Sequence, residues 1–393
     1  MDNIQRGLIT LVRSSLTGEV LSLPEGFDWE TAYPQIRRHE IYTMAYEGAV
    51  CCGVDKKLPV MQKLFQYYLK CFLHSEKQLE ALARVCDALE ENGFDHLLLK
   101  GSVLKAFYPK PELRLMGDAD ILIRKEQYES IRPIMQGLGF RETEQGFYDY
   151  GWKSSDLYVE LHHCLSNPYN TDFNSYLGDG WLRAKKSEQG ERRFEYTAED
   201  HFIYLFVHFT KHYRDGGIGL RHAADLWVYK KANPDLDETY LMNELEKMNL
   251  GVFYTNVQRM LSVWFEDAPE DDVSDFITET VFNSGAFGTS DVIRKAVALR
   301  AANKMGSEKR AKIWRVFRML FPGRIAMQRR YPVLKKYPWL LPFLWPIRWL
   351  SACMFRRDNI RRQREYTRET SEENIQKYRQ ALNYVGLDYT VKD

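Results

Sequence analysis

Three acidic residues stand out for the company they keep. Asp118 and Asp120 lie two apart in RLMGDADILI, and Glu160 lies in VELHHCL further along. Residues two apart in a strand project from the same face. Asp118 and Asp120 would thus offer two hard oxygen ligands side by side, the donor set that Mg²⁺ (or Mn²⁺) takes when it also binds substrate phosphates. Glu160, with Tyr158 and His162 as its same-face neighbours, can supply a third carboxylate. Upstream, Gly101-Ser102 sits at a strand-to-helix turn, where the missing side chain of Gly101 lets phosphate oxygens approach backbone N–H groups and the start of the next helix. Lys100 and Arg114 can add charge-assisted hydrogen bonds to those oxygens. Such a set would hold two metal ions beside a nucleoside triphosphate, ATP or another: one ion activating an attacking hydroxyl, the other steadying the departing pyrophosphate.

Each element also has a plainer reading. An isolated Asp-x-Asp is more often a solvated strand end, Gly-Ser alone says almost nothing, and Glu160 alone could face water. It is the three in order, each on a plausible element, that point to a site. Asp-x-Asp also occurs in phosphohydrolases and glycosyltransferases, where the apolar strand precedes the pair; here Ile121-Leu122-Ile123 follows it, which favours nucleotidyl transfer and leaves a glycosyltransferase as the enzymatic alternative. His208 and His212, four apart on a helix, face the same way, as metal-binding histidines often do, but a packed role suits them better. His162 and His163 could orient Glu160 or line the pocket. Lys211, Arg221 and Asp225 could close over a nucleotide or stabilise a helix pair.

The elements that must position these residues are legible. Residues 1 to about 75 mix apolar and polar positions at helical spacing. From Ser75, a candidate cap, the stripe Leu79, Leu82, Ala83, Cys86 and Leu89 predicts a helix that Asn92-Gly93 ends. The short apolar run at 96–99 predicts a strand, 103–108 a helix, 118–123 a strand, 125–138 a helix, 140–153 a hairpin around Gly146, and 157–162 another strand. After 198 the pattern is helical through 202–213 and 220–231, with further helices over 238–303. The resulting division is a helical N-terminal segment (1–74), an α/β core (75–195), a helical domain (196–304) and a C-terminal segment (305–393).

The order of strand, Gly-Ser, helix, Asp-x-Asp strand and later carboxylate strand resembles the polymerase-β-like nucleotidyltransferase superfamily. More closely, LKGSVLKAFYP, RLMGDADILI and VELHHCL, with HFTKHYRDGGIGLRHAADLW after them, are similar to an uncharacterised bacterial nucleotidyltransferase family. The resemblance implies an α+β fold with a small mixed-sheet nucleotidyltransferase core and flanking helices. It also implies Asp118, Asp120 and Glu160 as metal ligands and catalytic residues, and Gly101 with Ser102 as the phosphate-binding turn. The connection between Gly-Ser and Asp-x-Asp, Val103 to Gly117, is longer than the gap in the best-known members, and Arg114 falls within it. The expected reaction moves a nucleoside monophosphate from an NTP to an unidentified hydroxyl-type acceptor. A non-catalytic nucleotide-binding or antitoxin-like protein of the same fold is the alternative.

Composition sets the boundaries. The chain has 393 residues, 45% hydrophobic, with 55 Lys plus Arg against 54 Asp plus Glu, which excludes a disordered chain or a membrane bundle. Six cysteines without CxxC spacing and no signal-peptide core suggest a reduced, cytoplasmic protein. The near-zero net charge conceals an asymmetry: from Glu308 to Arg368 there are 17 Lys or Arg and 3 Asp or Glu, a net of +14, leaving −13 for the rest. That segment is rich in Pro and Trp, and Pro332, Pro338, Pro342 and Pro346 are expected to break any long helix. Its longest uncharged run, Tyr337 to Ile347, is too short for a bilayer, which a helix spans with about 20 residues. Packing on the acidic remainder, a peripheral membrane contact and a nucleic-acid contact through 305–368 are the three readings.

Overall fold

The structure, a computed structural model, describes residues 1–146, 148–166, 171–286, 288–305, 313–314, 317–318, 320–328, 330–355 and 371–387. Two compact units are present: one from residues 1–213 and 217–288, the other from 214–216 and the described residues beyond 288.

In the first unit the chain begins with three helices, α1 (Asn3–Thr17), α2 (Trp29–His39) and α3 (Tyr42–Cys51). Asp2 caps α1 by accepting from the Gln5 N–H, and Gln5 answers on the Asp2 N–H. α1 packs on α3 so closely that a Cβ on Gly48 would lie 1.9 Å from the Leu11 carbonyl oxygen; only glycine permits that approach.

The helix expected from Ser75 begins much earlier. α4 runs from Pro59 to Glu91, because proline suits a first helical position and no breaker follows it. Ser75 is therefore not a cap: it is buried mid-helix, where its hydroxyl accepts from Lys105 Nζ at 2.7 Å. The apolar stripe holds at Leu82, Cys86 and Leu89, with Ala81 and Val85 beside them, while Ala83 points to solvent.

The sheet has seven strands in the order β3-β4-β5-β2-β1-β7-β6. These are β1 (His96–Leu99), β2 (Ala119–Ile123), β3 (Arg141–Gln145), β4 (Asp149–Lys153), β5 (Tyr158–His162), β6 (Lys185–Lys186) and β7 (Arg193–Glu195). β1 and β2 are antiparallel, β2 and β5 parallel, β4 and β5 antiparallel, and β1 and β7 parallel. The very short β6 and β7 carry too little alternation to be read from sequence. Between β1 and β2 the expected helix over 103–108 is a short turn of α-helix, α5 (Gly101–Leu104), followed by 3₁₀ turns at Lys105–Phe107 and Pro111–Leu113. The stretch from Lys125 opens as a 3₁₀ turn before α6 (Tyr128–Gly137).

One face of the sheet packs on α4 and α6. Ala119, Ile121 and Ile123 of β2, Val159 and Leu161 of β5, and Trp152 meet Val85, Leu89, Ile131 and Met135 there. Each fully buried aliphatic side chain contributes roughly 1.5–3 kcal/mol, so this layer fixes the sheet. The remaining helices of the unit are α7 (Thr171–Leu177), α8 (Ala198–Asp215), whose last two residues fall in the second unit, α9 (Leu220–Ala232), α10 (Glu238–Glu246), α11 (Gly251–Phe265) and α12 (Asp272–Ser284). α9 has only Gly219 at its N-cap, and the buried His39 supplies what that residue lacks, its Nδ1 accepting from the Leu220 N–H at 3.2 Å.

The second unit contains α13 (Ser290–Met305), α14 (Arg324–Gln328), α15 (Val333–Lys336), α16 (Leu341–Phe355) and α17 (Glu372–Tyr384). α17 packs on α13, and Arg379 donates to Asn303 Oδ1 at 2.9 Å. The prolines break this region less than expected. α16 continues unbroken from Leu341 to Phe355, since Pro342 lies in its first turn, where no intrahelical N–H is required, and only Pro346 forfeits a helical bond. The basic cluster at 356–368 lies outside the described residues.

Candidate metal and nucleotide site

Register builds the site. Leu99 at the end of β1 pairs with Asp120 of β2, and Asp120 with Glu160 of β5. Because the odd-numbered residues of β2 and β5 are held in the α4/α6 core, alternation sends Asp120, Glu160 and His162 to the opposite face. One ligand atom from each of Asp120, Glu160 and His162 lies within 4.8 Å of the other two, and among the described residues no other group of three His, Cys or acidic side chains meets so closely.

Asp120 is the hub. Its Oδ1 accepts from Lys100 Nζ at 2.6 Å and lies 2.7 Å from His162 Nε2, which is also 3.4 Å from Glu160 Oε2. Burial alone would raise the Asp120 carboxyl, but Lys100 and His162 outweigh it and hold the group well below the usual carboxylate range. Burial opposes the charge of His162, and the hydrogen bonds with Asp120 and Glu160 overcome it, so this imidazole is raised. Asp118 stands just before β2, half-buried and outside the group of three. Burial raises its carboxyl first, the Asp120 charge adds to this, and Lys100 opposes both, so Asp118 shares the same field.

Lys100 holds a backbone conformation of φ +46°, ψ −121°, a strained region for a residue with a side chain that costs on the order of 1–3 kcal/mol. The strain aims its ammonium at Asp120. The turn then leads into Gly101 and Ser102, both buried at the start of α5, where the first N–H groups have no intrahelical acceptors. A Cβ on Gly101 would lie 2.8 Å from Arg114 Nη1, and Ser102 Oγ lies 3.9 Å from Met116 Sδ.

Arg114 has other partners than the sheet carboxylates. Its Nε and Nη2 donate to the two oxygens of Asp225 on α9, at 3.1 and 2.9 Å, and Nη1 donates to the Leu115 carbonyl at 2.8 Å. Tyr108 donates to the same carboxylate at 2.7 Å. Arg221 donates to Leu115 O at 3.2 Å and Glu40 at 3.3 Å. The long connection between Gly-Ser and Asp-x-Asp is thus pinned to α9 by Asp225, and to α4 by Lys105, whose Nζ donates to Ser75, Pro111 O and Arg114 O. Burial brings the Lys105 ammonium down to about 8. Sequence reasoning read Arg221 and Asp225 of LRHAADLW as able to stabilise a helix pair but missed their partners in this connection, Tyr108, Arg114 and Leu115.

Around the rim stand Tyr204, His208, Lys211 and Ser166, which with Lys100 line a small pocket. His208 and His212 lie with ring centroids 4.4 Å apart, and His212 and His222 5.8 Å apart. Burial holds all three imidazoles well below their ordinary value, and with no acidic group in their set they take the packed role. His163 is likewise lowered by burial.

Residues 25–266 match the family model described as uncharacterised nucleotidyltransferase. The chain belongs to that family. The match spans the entire sheet and α2 to α11, so the nucleotidyltransferase core and the helix that carries Asp225 are parts of one family unit. The chain is also similar to the solution structure of the antibiotic-resistance factor ANT(2'')-Ia, with 11% identity over 47% of this chain and 95% of that one, at a TM-score of 0.32. No curated protein matches the chain.

Proposed function

We propose that this nucleotidyltransferase moves a nucleoside monophosphate from an NTP to a hydroxyl-type acceptor, using Mg²⁺ or Mn²⁺ held by Asp118, Asp120 and Glu160. The observation that carries the reading is the row of carboxylates on one sheet face, with the Gly101-Ser102 turn following the adjacent strand. The donor set fits a hard divalent cation: carboxylate oxygens of Asp120 on β2 and Glu160 on β5 meet beside His162, Asp118 shares their field, and Lys100 and His162 offset part of the charge. When bound, the metal would polarise the phosphates and lower the pKa of the attacking hydroxyl.

The chain's own residues then have separable tasks. Gly101 and Ser102 are to meet phosphate oxygens through the backbone N–H groups at the start of α5; the space a Cβ would take at Gly101 is filled by Arg114 and Met116. His162 bridges Asp120 and Glu160 and sets their spacing. Lys100, paired with Asp120 in the free protein, is the cation placed to turn toward the triphosphate. The acceptor oxygen bonds to the α-phosphorus as the bond to the β-phosphate bridge oxygen breaks; the acceptor proton passes to a carboxylate of the set or to solvent, and pyrophosphate leaves.

Titration calorimetry of the full chain with each NTP and Mg²⁺ should show metal-dependent binding that Asp118→Asn or Glu160→Gln removes. Incubation with α-labelled NTPs and a cell extract should transfer label to an acceptor and release pyrophosphate. Binding without transfer for all four NTPs would favour a non-catalytic nucleotide-binding protein. Absence of metal-dependent binding would sink the proposal.

A further inference from the structure

The second unit carries an outward apolar face that the nucleotidyltransferase reading does not use. α16 has two opposite sides. On one, Trp345 and Trp349 pack edge-on against Phe321, with centroids 5.1 and 5.2 Å away, and their indole N–H groups donate to Pro322 O and Leu320 O at 3.1 and 2.9 Å. On the other, Phe343, Ile347 and Leu350, at i, i+4 and i+7, are 65%, 52% and 61% exposed, and Trp339 just before the helix is 66% exposed. The packed side explains how the helix is held; nothing among the described residues covers the other.

Charge indicates what would cover it. From Ile313 to Leu350 the sequence has eight Lys or Arg and no Asp or Glu, and Arg324, Lys335 and Lys336 are exposed. Basic groups together with large apolar and indole side chains suit the interface of an anionic bilayer, where the apolar groups enter the acyl boundary and the cations meet headgroups. A nucleic acid would use the cations and the aromatic rings but gains nothing from Ile347, Leu350 or Val333, since stacking needs a ring. No helix among the described residues is long and apolar enough to cross a membrane, so the contact is peripheral. We propose that α16 and the basic segment preceding it dock the protein on an anionic lipid surface.

The test is co-sedimentation of the full chain with phosphatidylcholine vesicles containing one quarter phosphatidylglycerol, against pure phosphatidylcholine. The mixed vesicles should bind, the neutral ones should bind at least tenfold more weakly, and 1 M salt should release most of the bound protein because screening shortens to about 3 Å. Lys335→Gln with Lys336→Gln should weaken partitioning by about 30-fold, taking about 1 kcal/mol per basic residue near the surface. Phe343→Ser with Ile347→Ser and Leu350→Ser should weaken it by more than tenfold. All five side chains are exposed, and far-UV circular dichroism of each variant checks that the fold persists. Equal binding to both vesicle types, unimpaired binding by both folded variants, or binding of a single-stranded RNA oligonucleotide with none to vesicles would overturn the proposal.

Discussion

Asp225→Ala puts the scaffold behind the site to its strictest test. The carboxylate of Asp225 takes three hydrogen bonds, two from Arg114 and one from Tyr108. The side chains of the ion pair are only 9% exposed at Arg114 and 7% at Asp225. Removing the carboxylate leaves a buried guanidinium without its counter-charge, which costs about 3–5 kcal/mol. The stranded Tyr108 hydroxyl adds about 1 kcal/mol. Urea unfolding followed by circular dichroism should therefore show a loss of about 4–6 kcal/mol, some three to four decades in the folding constant at about 1.4 kcal/mol per decade. Arg114→Ala should cost less, since a lone carboxylate can still accept from Tyr108, and the double variant should recover at least about 2 kcal/mol relative to the sum. A loss below about 1 kcal/mol for Asp225→Ala, or strict additivity in the cycle, would refute the idea that Arg114 is a bracing group. Unchanged stability with weakened NTP binding would return it to the phosphate-binding role that its sequence position suggested.

Two other outcomes follow from charges buried in the fold. Burial lowers both His39 and His201 to about 4, below the unfolded value of about 6.5; the unfolded chain therefore binds more protons between these values. Stability is full above about pH 6.5 and falls as pH drops toward 4, by up to about 3 kcal/mol per histidine. Urea midpoints measured from pH 7.5 to 4 would check this, and a His39→Gln variant should flatten the curve. At the site, Lys100→Met removes the ammonium that occupies Asp120, so Mn²⁺ affinity without nucleotide, followed by electron paramagnetic resonance, should rise about tenfold or more while NTP affinity falls. Unchanged Mn²⁺ affinity would show that Lys100 does not compete for the carboxylate.

Much of this was legible in the sequence, for identifiable reasons. β1, β2, β5 and the hairpin could be read because their apolar patterns are short and turn residues bound them. Asp120 and Glu160 could be picked out as neighbours because each lies in a short strand with a readable pattern, whereas the closeness of His162 to both depends on the β2–β5 register. Where α4 begins could not be read: helical periodicity before Ser75 is weak, and the serine there resembles a cap until Lys105 is seen to need it. Arg114 illustrates the general limit. Its charge and proximity to Asp-x-Asp suggest a phosphate contact, but its partner is Asp225, far along the chain, and a non-local ion pair leaves no mark on periodicity. β6 and β7 are too short for alternation to register, and the second side of α16 emerges only once the packing of Trp345 and Trp349 has fixed the helix.

The pairing of Leu99 with Asp120 and of Asp120 with Glu160 makes the sheet its own quality control. A slip of one residue in either pairing would turn a carboxylate into the α4/α6 core and an aliphatic side chain out to solvent. A misaligned sheet therefore both buries an unpaired charge and loses the cluster. The meeting of Asp120, Glu160 and His162 thus reports that strands drawn from well-separated segments of the chain have found their proper alignment.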